Sequence, residues 1–99
     1  MEDILVSELR QRRAGGDELC LIDVRDAYEH DEFNIGGMNL PLGGIMQWSE
    51  TLDVPKDQEI VVYCRSGNRS AMAKSVLTSK GFTAVRNLTG GVLAWEEDI

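Results

Sequence analysis

The residues with the most chemical potential lie in one run, Ile60-Val61-Val62-Tyr63-Cys64-Arg65-Ser66-Gly67-Asn68-Arg69-Ser70. Four consecutive β-formers lead into a cysteine. A short loop with two arginines, a glycine and an asparagine follows, and Ala71-Met72-Ala73-Lys74-Ser75-Val76-Leu77 then reads as a helix. A thiol between the carboxyl end of a strand and the amino end of a helix meets unpaired backbone N–H groups and the positive end of a helix dipole. With nearby guanidinium groups, those features lower a thiol pKa from about 8.5 and make the thiolate available at neutral pH. Gly67 has no side chain to block the loop interior, so the N–H groups of Arg65 through Ser70 can point inward as an anion cradle. Arg65 and Arg69 supply planar donors suited to a sulfonate or similar oxyanion. The plain alternative is a buried core cysteine before an ordinary βα turn, since free cysteine is among the most buried residue types. The flanking Arg65, Gly67 and Arg69 favour the reactive reading. One histidine in the chain gives no support for a Cys–His pair, and a preformed thiolate requires no separate base.

Such a thiol needs a scaffold that brings a strand end and a helix start to one point. Ile4-Leu5-Val6 reads as a short edge strand. A helix follows from Glu8 to about Ala14, with Ser7 as N-cap, Gly15-Gly16 as the stop, and Arg10, Arg12 and Arg13 on a solvated face. Leu19-Cys20-Leu21-Ile22-Asp23-Val24 is nearly continuous apolar sequence, as expected of a central parallel strand covered on both faces, with Cys20 as core. Asp23 ends that run and can accept hydrogen bonds from loop amides or from Arg25; an architectural ion pair is preferred to direct catalysis. Asp26 and Glu29 fit an N-cap and its N3 acid, opening a short helix through Tyr28 and His30. Met38-Asn39-Leu40 reads as a short strand stopped by Pro41, and Leu42 to Glu50 as a helical turn with Ile45, Met46 and Trp48 inward. The central strand spans Glu59 to Tyr63, and the helix after the loop starts at Asn68 or Ser70 and ends near Ser79, with Lys80-Gly81 as a C-cap signal. Phe82 to Val85 is a last parallel strand, followed by a Gly90-Gly91 turn and a terminal helix through Trp95. Strands separated by helices predict one α/β domain over residues 1–99.

Composition narrows the function classes. Ten Lys and Arg against 17 Asp and Glu give a net charge of -7, which argues against a nucleic-acid binder and for a monomer that stays monodisperse. No apolar run approaches the roughly 20 residues needed to cross a bilayer. Met1-Glu2-Asp3-Ile4-Leu5 carries no basic n-region, so no secretion signal is read there. The two cysteines show neither disulfide-scaffold nor metal spacing, so no metal or cofactor is expected and a reducing, cytoplasmic setting is the default.

Four segments together resemble the single-domain rhodaneses, thiosulfate or persulfide sulfurtransferases. Leu21-Ile22-Asp23-Val24-Arg25 is similar to the family's first motif and Glu29 to Pro41 to the region after it. Cys64 to Arg69 is similar to its six-residue active-site loop, and Asn87-Leu88-Thr89-Gly90-Gly91 with Trp95 to its closing motif. The resemblance covers nearly the whole chain. It implies a three-layer α/β sandwich with a central, mainly parallel sheet of about five short strands and helices on both faces. It also implies that Asp23 and Arg25 frame the site without attacking anything. The sequence departs from the family pattern where Asn34 stands for a usually structural histidine, Gly36 for a proline and Met38 for an alanine. His30 matches an acid–His pair often seen earlier in the family and is read as a surface or hydrogen-bonding residue.

The reaction class follows from the resemblance. Cys64 attacks the sulfane sulfur of a small anionic donor such as thiosulfate, held by Arg65, Ser66, Gly67, Asn68, Arg69 and Ser70, and sulfite leaves. Cyanide or a thiol then takes the sulfur from the Cys64 persulfide. A persulfide-donating protein as partner, and a carrier role with the same chemistry, stay open. A non-catalytic binding module is weighed lower because the cysteine is kept. A cysteine-dependent phosphatase or arsenate reductase is weighed lower still. That chemistry needs an arginine six positions after the cysteine, where Ser70 stands.

Overall fold

A computed structural model describes residues 1–98. In chain order its elements are α1 (Val6–Ala14), β1 (Cys20–Asp23), α2 (Ala27–Glu32), β2 (Met38–Asn39), a 3-10 turn at Leu42–Gly44, α3 (Ile45–Thr51), β3 (Ile60–Tyr63), α4 (Asn68–Ser79), β4 (Val85–Asn87) and α5 (Gly91–Glu97). The strands form a parallel sheet in the order β2-β1-β3-β4. Side chains alternate across a strand, and the alternation along β3 decides the layers. Ile60, Val62 and Cys64 join Ile22, Val24, Ala73 and Leu77 on the face covered by α3 and α4. Val61 and Tyr63 join Leu21, Leu9 and Val92 on the face covered by α1 and α5. All four β3 residues are buried, which is why that segment is continuously apolar. The same phase delivers Cys64 to the start of α4.

The expected fold is present, with four strands in place of about five. Ile4 makes only an isolated parallel bridge to Leu88, because the chain turns into α1 at Val6, two residues before the expected start. Val6 and Leu9 are buried, so the first turn of α1 serves to cover the sheet, and Leu5 takes the N-cap position expected of Ser7. The last strand is also displaced. Phe82 closes α4: its N–H donates to the Leu77 carbonyl at 3.1 Å while Gly81 donates to Thr78 at 3.1 Å, the bond pair of a Schellman stop. Phe82 is buried in the core, and pairing with β3 runs over Val85 to Asn87.

Two smaller expectations change. Met46 is exposed and only Ile45 and Trp48 of that trio pack inward. The arginines of α1 are tied down: Arg10 stacks 3.7 Å from the Trp95 ring centroid, Arg12 clasps Glu59 and Arg13 donates to the Ile35 carbonyl. Among the described residues no helix is long and apolar enough to cross a membrane.

Candidate active site

Cys64 follows the last residue of β3, and the loop closes on its sulfur from the α4 side. The Gly67 N–H donates to Sγ at 3.1 Å and the Ser70 N–H at 3.4 Å. Gly67 sits at φ +105° as the N-cap of α4, a conformation that favours glycine, and this left-handed turn aims its N–H back at the sulfur. The Ser70 hydroxyl lies 3.3 Å from Sγ. Burial pushes the Cys64 thiol up, but the Ser70 hydroxyl and the N–H groups of Ser70, Gly67 and Ser66 together bring it below its ordinary value. Cys20, half-buried in β1, has burial alone acting on it and is pushed up. The two thiols are therefore opposite in character.

The loop is anchored from behind by α5. Val92 N–H donates to the Cys64 carbonyl at 2.9 Å and Leu93 N–H to the Arg65 carbonyl at 3.0 Å. These are first-turn donors that have no partner within their own helix. The approach is so close that a Cβ on Gly91, at φ +58°, would stand 2.3 Å from the Cys64 carbonyl oxygen. Gly91, read in the sequence as part of a turn and of the closing motif, thus lets α5 dock on the Cys64–Arg65 backbone.

The charged residues divide into framing and free groups. Asp23 and Arg25 form a buried pair, with Arg25 Nη2 2.8 Å from Asp23 Oδ2 and further bonds from Arg25 Nε and its backbone N–H. His30 Nδ1 lies 2.8 Å from the same Oδ2. Burial would raise the Asp23 pKa, yet the Arg25 and His30 contacts outweigh it and hold the carboxyl below its usual range. Arg25 also donates to the Phe33 carbonyl, which fastens the segment after α2. Arg69 points at Glu29 in a two-pronged pair, at 2.7 and 3.0 Å. That contact holds Glu29 down to about 2. Arg65 is exposed and lines a groove of about 230 Å³ with Arg25, Glu29, Glu32, Phe33, Leu93 and Glu96. Ser66 and Asn68 are exposed on the loop, and Ser70 is buried beneath it. Among the described residues no group of acids, histidines and cysteines is arranged to hold a metal.

The segment where the sequence leaves the family pattern is held by local bonds. Asn34 Nδ2 donates to the His30 carbonyl at 2.9 Å and its Oδ1 accepts from Gly36 N–H at 2.9 Å. Tyr63, at the end of β3, donates its hydroxyl to the Gly36 carbonyl at 2.8 Å. Gly37, at φ +86°, packs so tightly on Leu21 that a Cβ would meet its carbonyl oxygen at 2.3 Å. Sequence reasoning missed this Tyr63 link and the part played by Asn87. Asn87 Oδ1 touches the Ser70 hydroxyl at 2.5 Å.

The chain has relatives among known proteins. The chain is 37% identical over 97 residues to a protein named Sulfurtransferase from Allochromatium vinosum, covering 96% of this chain and 88% of that one. It is 38% identical over 93 residues to the Mycobacterium tuberculosis protein named "Probable adenylyltransferase/sulfurtransferase MoeZ", of which it spans 24% of the length. It superimposes on the crystal structure of SSP1007 from Staphylococcus saprophyticus with a TM-score of 0.85 at 25% identity, over 99% of this chain and 96% of that one. The family description Rhodanese-like domain matches residues 5–98, and the chain belongs to that family.

Proposed function

We propose that the protein is a sulfurtransferase that moves a sulfane sulfur from thiosulfate or a persulfide donor to a thiophilic acceptor through a persulfide on Cys64. One observation carries this reading: a thiol whose pKa is lowered receives backbone N–H groups from Gly67, inside the six-residue loop, and from Ser70, just after it. The thiolate forms a bond to the outer sulfur of thiosulfate while the bond from that sulfur to the sulfite group breaks, and sulfite departs with the electron pair. The negative charge passes from Sγ to the outer sulfur, where inward N–H groups and Arg65 can receive it. Cyanide or a thiolate then takes the outer sulfur and returns the charge to Cys64. A carrier uses the same persulfide and differs only in its protein partner.

The donor is held by Arg65 and the loop amides. Arg69 shares the site as a charge already matched by Glu29. Asp23, Arg25 and His30 keep the floor of the groove in shape. A phosphoryl group needs more room and an arginine bridging two of its oxygens, and Arg69 is turned to Glu29 instead. The test is intact-mass measurement after incubation with thiosulfate, alongside an aryl phosphate assay. A gain of one sulfur on Cys64 with negligible phosphate hydrolysis supports the reading. Hydrolysis of the phosphate with thiosulfate left untouched overturns it.

A further inference from the structure

A polar side chain lies behind the cradle. Asn87, the last residue of β4, is buried and fixed on several sides. Its N–H donates to Asp3 Oδ1 at 3.1 Å and its carbonyl accepts from Ile4 N–H at 3.0 Å. Its Nδ2 donates to the Gly67 carbonyl at 3.0 Å. That bond sets the amide orientation, because the flipped form would turn Oδ1 toward another acceptor. Oδ1 therefore faces Ser70, at 2.5 Å, and can only accept. A hydroxyl has one proton. While Ser70 gives it to Asn87, Ser70 Oγ presents lone pairs to Cys64 Sγ at 3.3 Å. That arrangement suits a thiol, which donates, and does not suit a thiolate, which must accept.

We propose that Asn87 is a positioning residue for Cys64: its amide oxygen gives the Ser70 hydroxyl a resting acceptor, from which the hydroxyl turns to donate to Sγ only when that sulfur is negatively charged. A hydrogen bond to an ion is stronger than one to a neutral amide, so the thiolate wins the proton when it forms. The sulfur transfer proposed above, on which this assignment builds, supplies the changes of charge. When Cys64 takes the outer sulfur, charge leaves Sγ and the hydroxyl returns to Asn87. When an acceptor removes that sulfur, charge comes back and the hydroxyl turns again. Asn87 thereby favours states in which Sγ is uncharged, the thiol and the persulfide.

The experiment is the pH profile of Cys64 alkylation by iodoacetamide, with Cys20→Ser as background so that one thiol reports. Asn87→Ala is measured with Ser70 present and again with Ser70→Ala. The charged and titratable groups around the site include Arg65 and Arg69, with Glu29 against the latter, Glu32 and Glu96 in the groove, the Asp23–Arg25 pair with His30, Asp3 with Lys74, and Arg86 of β4. All stay in place in every variant. With Ser70 present, the freed hydroxyl should move the profile to lower pH relative to any shift seen without it, and speed alkylation at about pH 6 roughly threefold or more. Loss of the Gly67 bond alone would slacken the loop equally in both backgrounds, so a shift that ignores Ser70 overturns the assignment. Asn87→Leu, which keeps the side-chain volume, is read the same way if the alanine variant does not fold. No donor is present in this assay. A protein that takes no sulfur from thiosulfate but shows the Ser70-dependent shift loses the functional reading and keeps this one.

Discussion

Replacing Gly91 with alanine should uncouple the reactive loop from the last helix. At φ +58° an L-residue costs about 1–2 kcal/mol, and the new Cβ would stand 2.3 Å from the Cys64 carbonyl oxygen and 2.6 Å from that of Arg65. Both are backbone atoms, so relief requires α5 to lift. Lifting breaks the bonds from Val92 and Leu93 N–H, worth roughly 1 kcal/mol each. The sum is about 3–4 kcal/mol, a large share of the roughly 5–15 kcal/mol that holds a domain together. Gly16→Ala is the matched control: its φ is +91° and a Cβ there meets nothing within 4 Å, so only the backbone penalty of about 1–2 kcal/mol applies. Urea unfolding of both variants gives the comparison, with an unchanged m-value as the sign that stability alone moved. The Gly91 variant should lose about 2 kcal/mol more than the control, and Cys64 in its folded fraction should take up sulfur from thiosulfate more slowly. Equal losses for the two glycines would refute the docking argument.

Cys64→Ser should abolish thiosulfate:cyanide transfer and Cys20→Ser should leave it intact, since only Cys64 has N–H groups aimed at its sulfur; the reverse pattern in folded proteins would sink the assignment. Arg65→Ala should raise the KM for thiosulfate more than that for cyanide, whereas Arg69→Ala should act mainly on stability because its partner is Glu29. Steady-state kinetics with each substrate varied separates the two arginines. Glu29 has its pKa depressed to about 2 by the Arg69 hydrogen bond, so its contribution is fully present above the unfolded value near 4.5 and lost as pH falls through about 2. Urea midpoints followed between about pH 5 and pH 2 should fall less steeply for Glu29→Gln than for wild type. Cys64 is likewise depressed, so iodoacetamide alkylation should rise with pH and level off below the pH at which Cys20 does.

The strand–cysteine–loop–helix run was legible because each part has a local cause. Apolar β-formers make β3, Gly67 makes the turn, and the Asp23–Arg25 pair was visible as an acid and a base two residues apart at a strand end. The limits of the edge elements were not legible. Ile4-Leu5-Val6 and Phe82-Thr83-Ala84-Val85 have strand propensity, but tertiary packing gave Val6 to a helix and Phe82 to a helix stop. Arg69 looked like a substrate donor because spacing says nothing of its partner, and Glu29 lies 40 positions away. Asn87 was read only as part of the closing motif, with no role of its own. Its meaning comes from a contact across 17 residues that only the folded sheet creates.

The docking of α5 on the loop also bears on how the protein is made. Synthesis proceeds from the N-terminus, so Cys64 leaves the ribosome before Gly91, Val92 and Leu93 do. Until those residues arrive, the Cys64 and Arg65 carbonyls lack the two donors that back them. The backing of the Cys64 loop is thus among the last parts of the fold to be made.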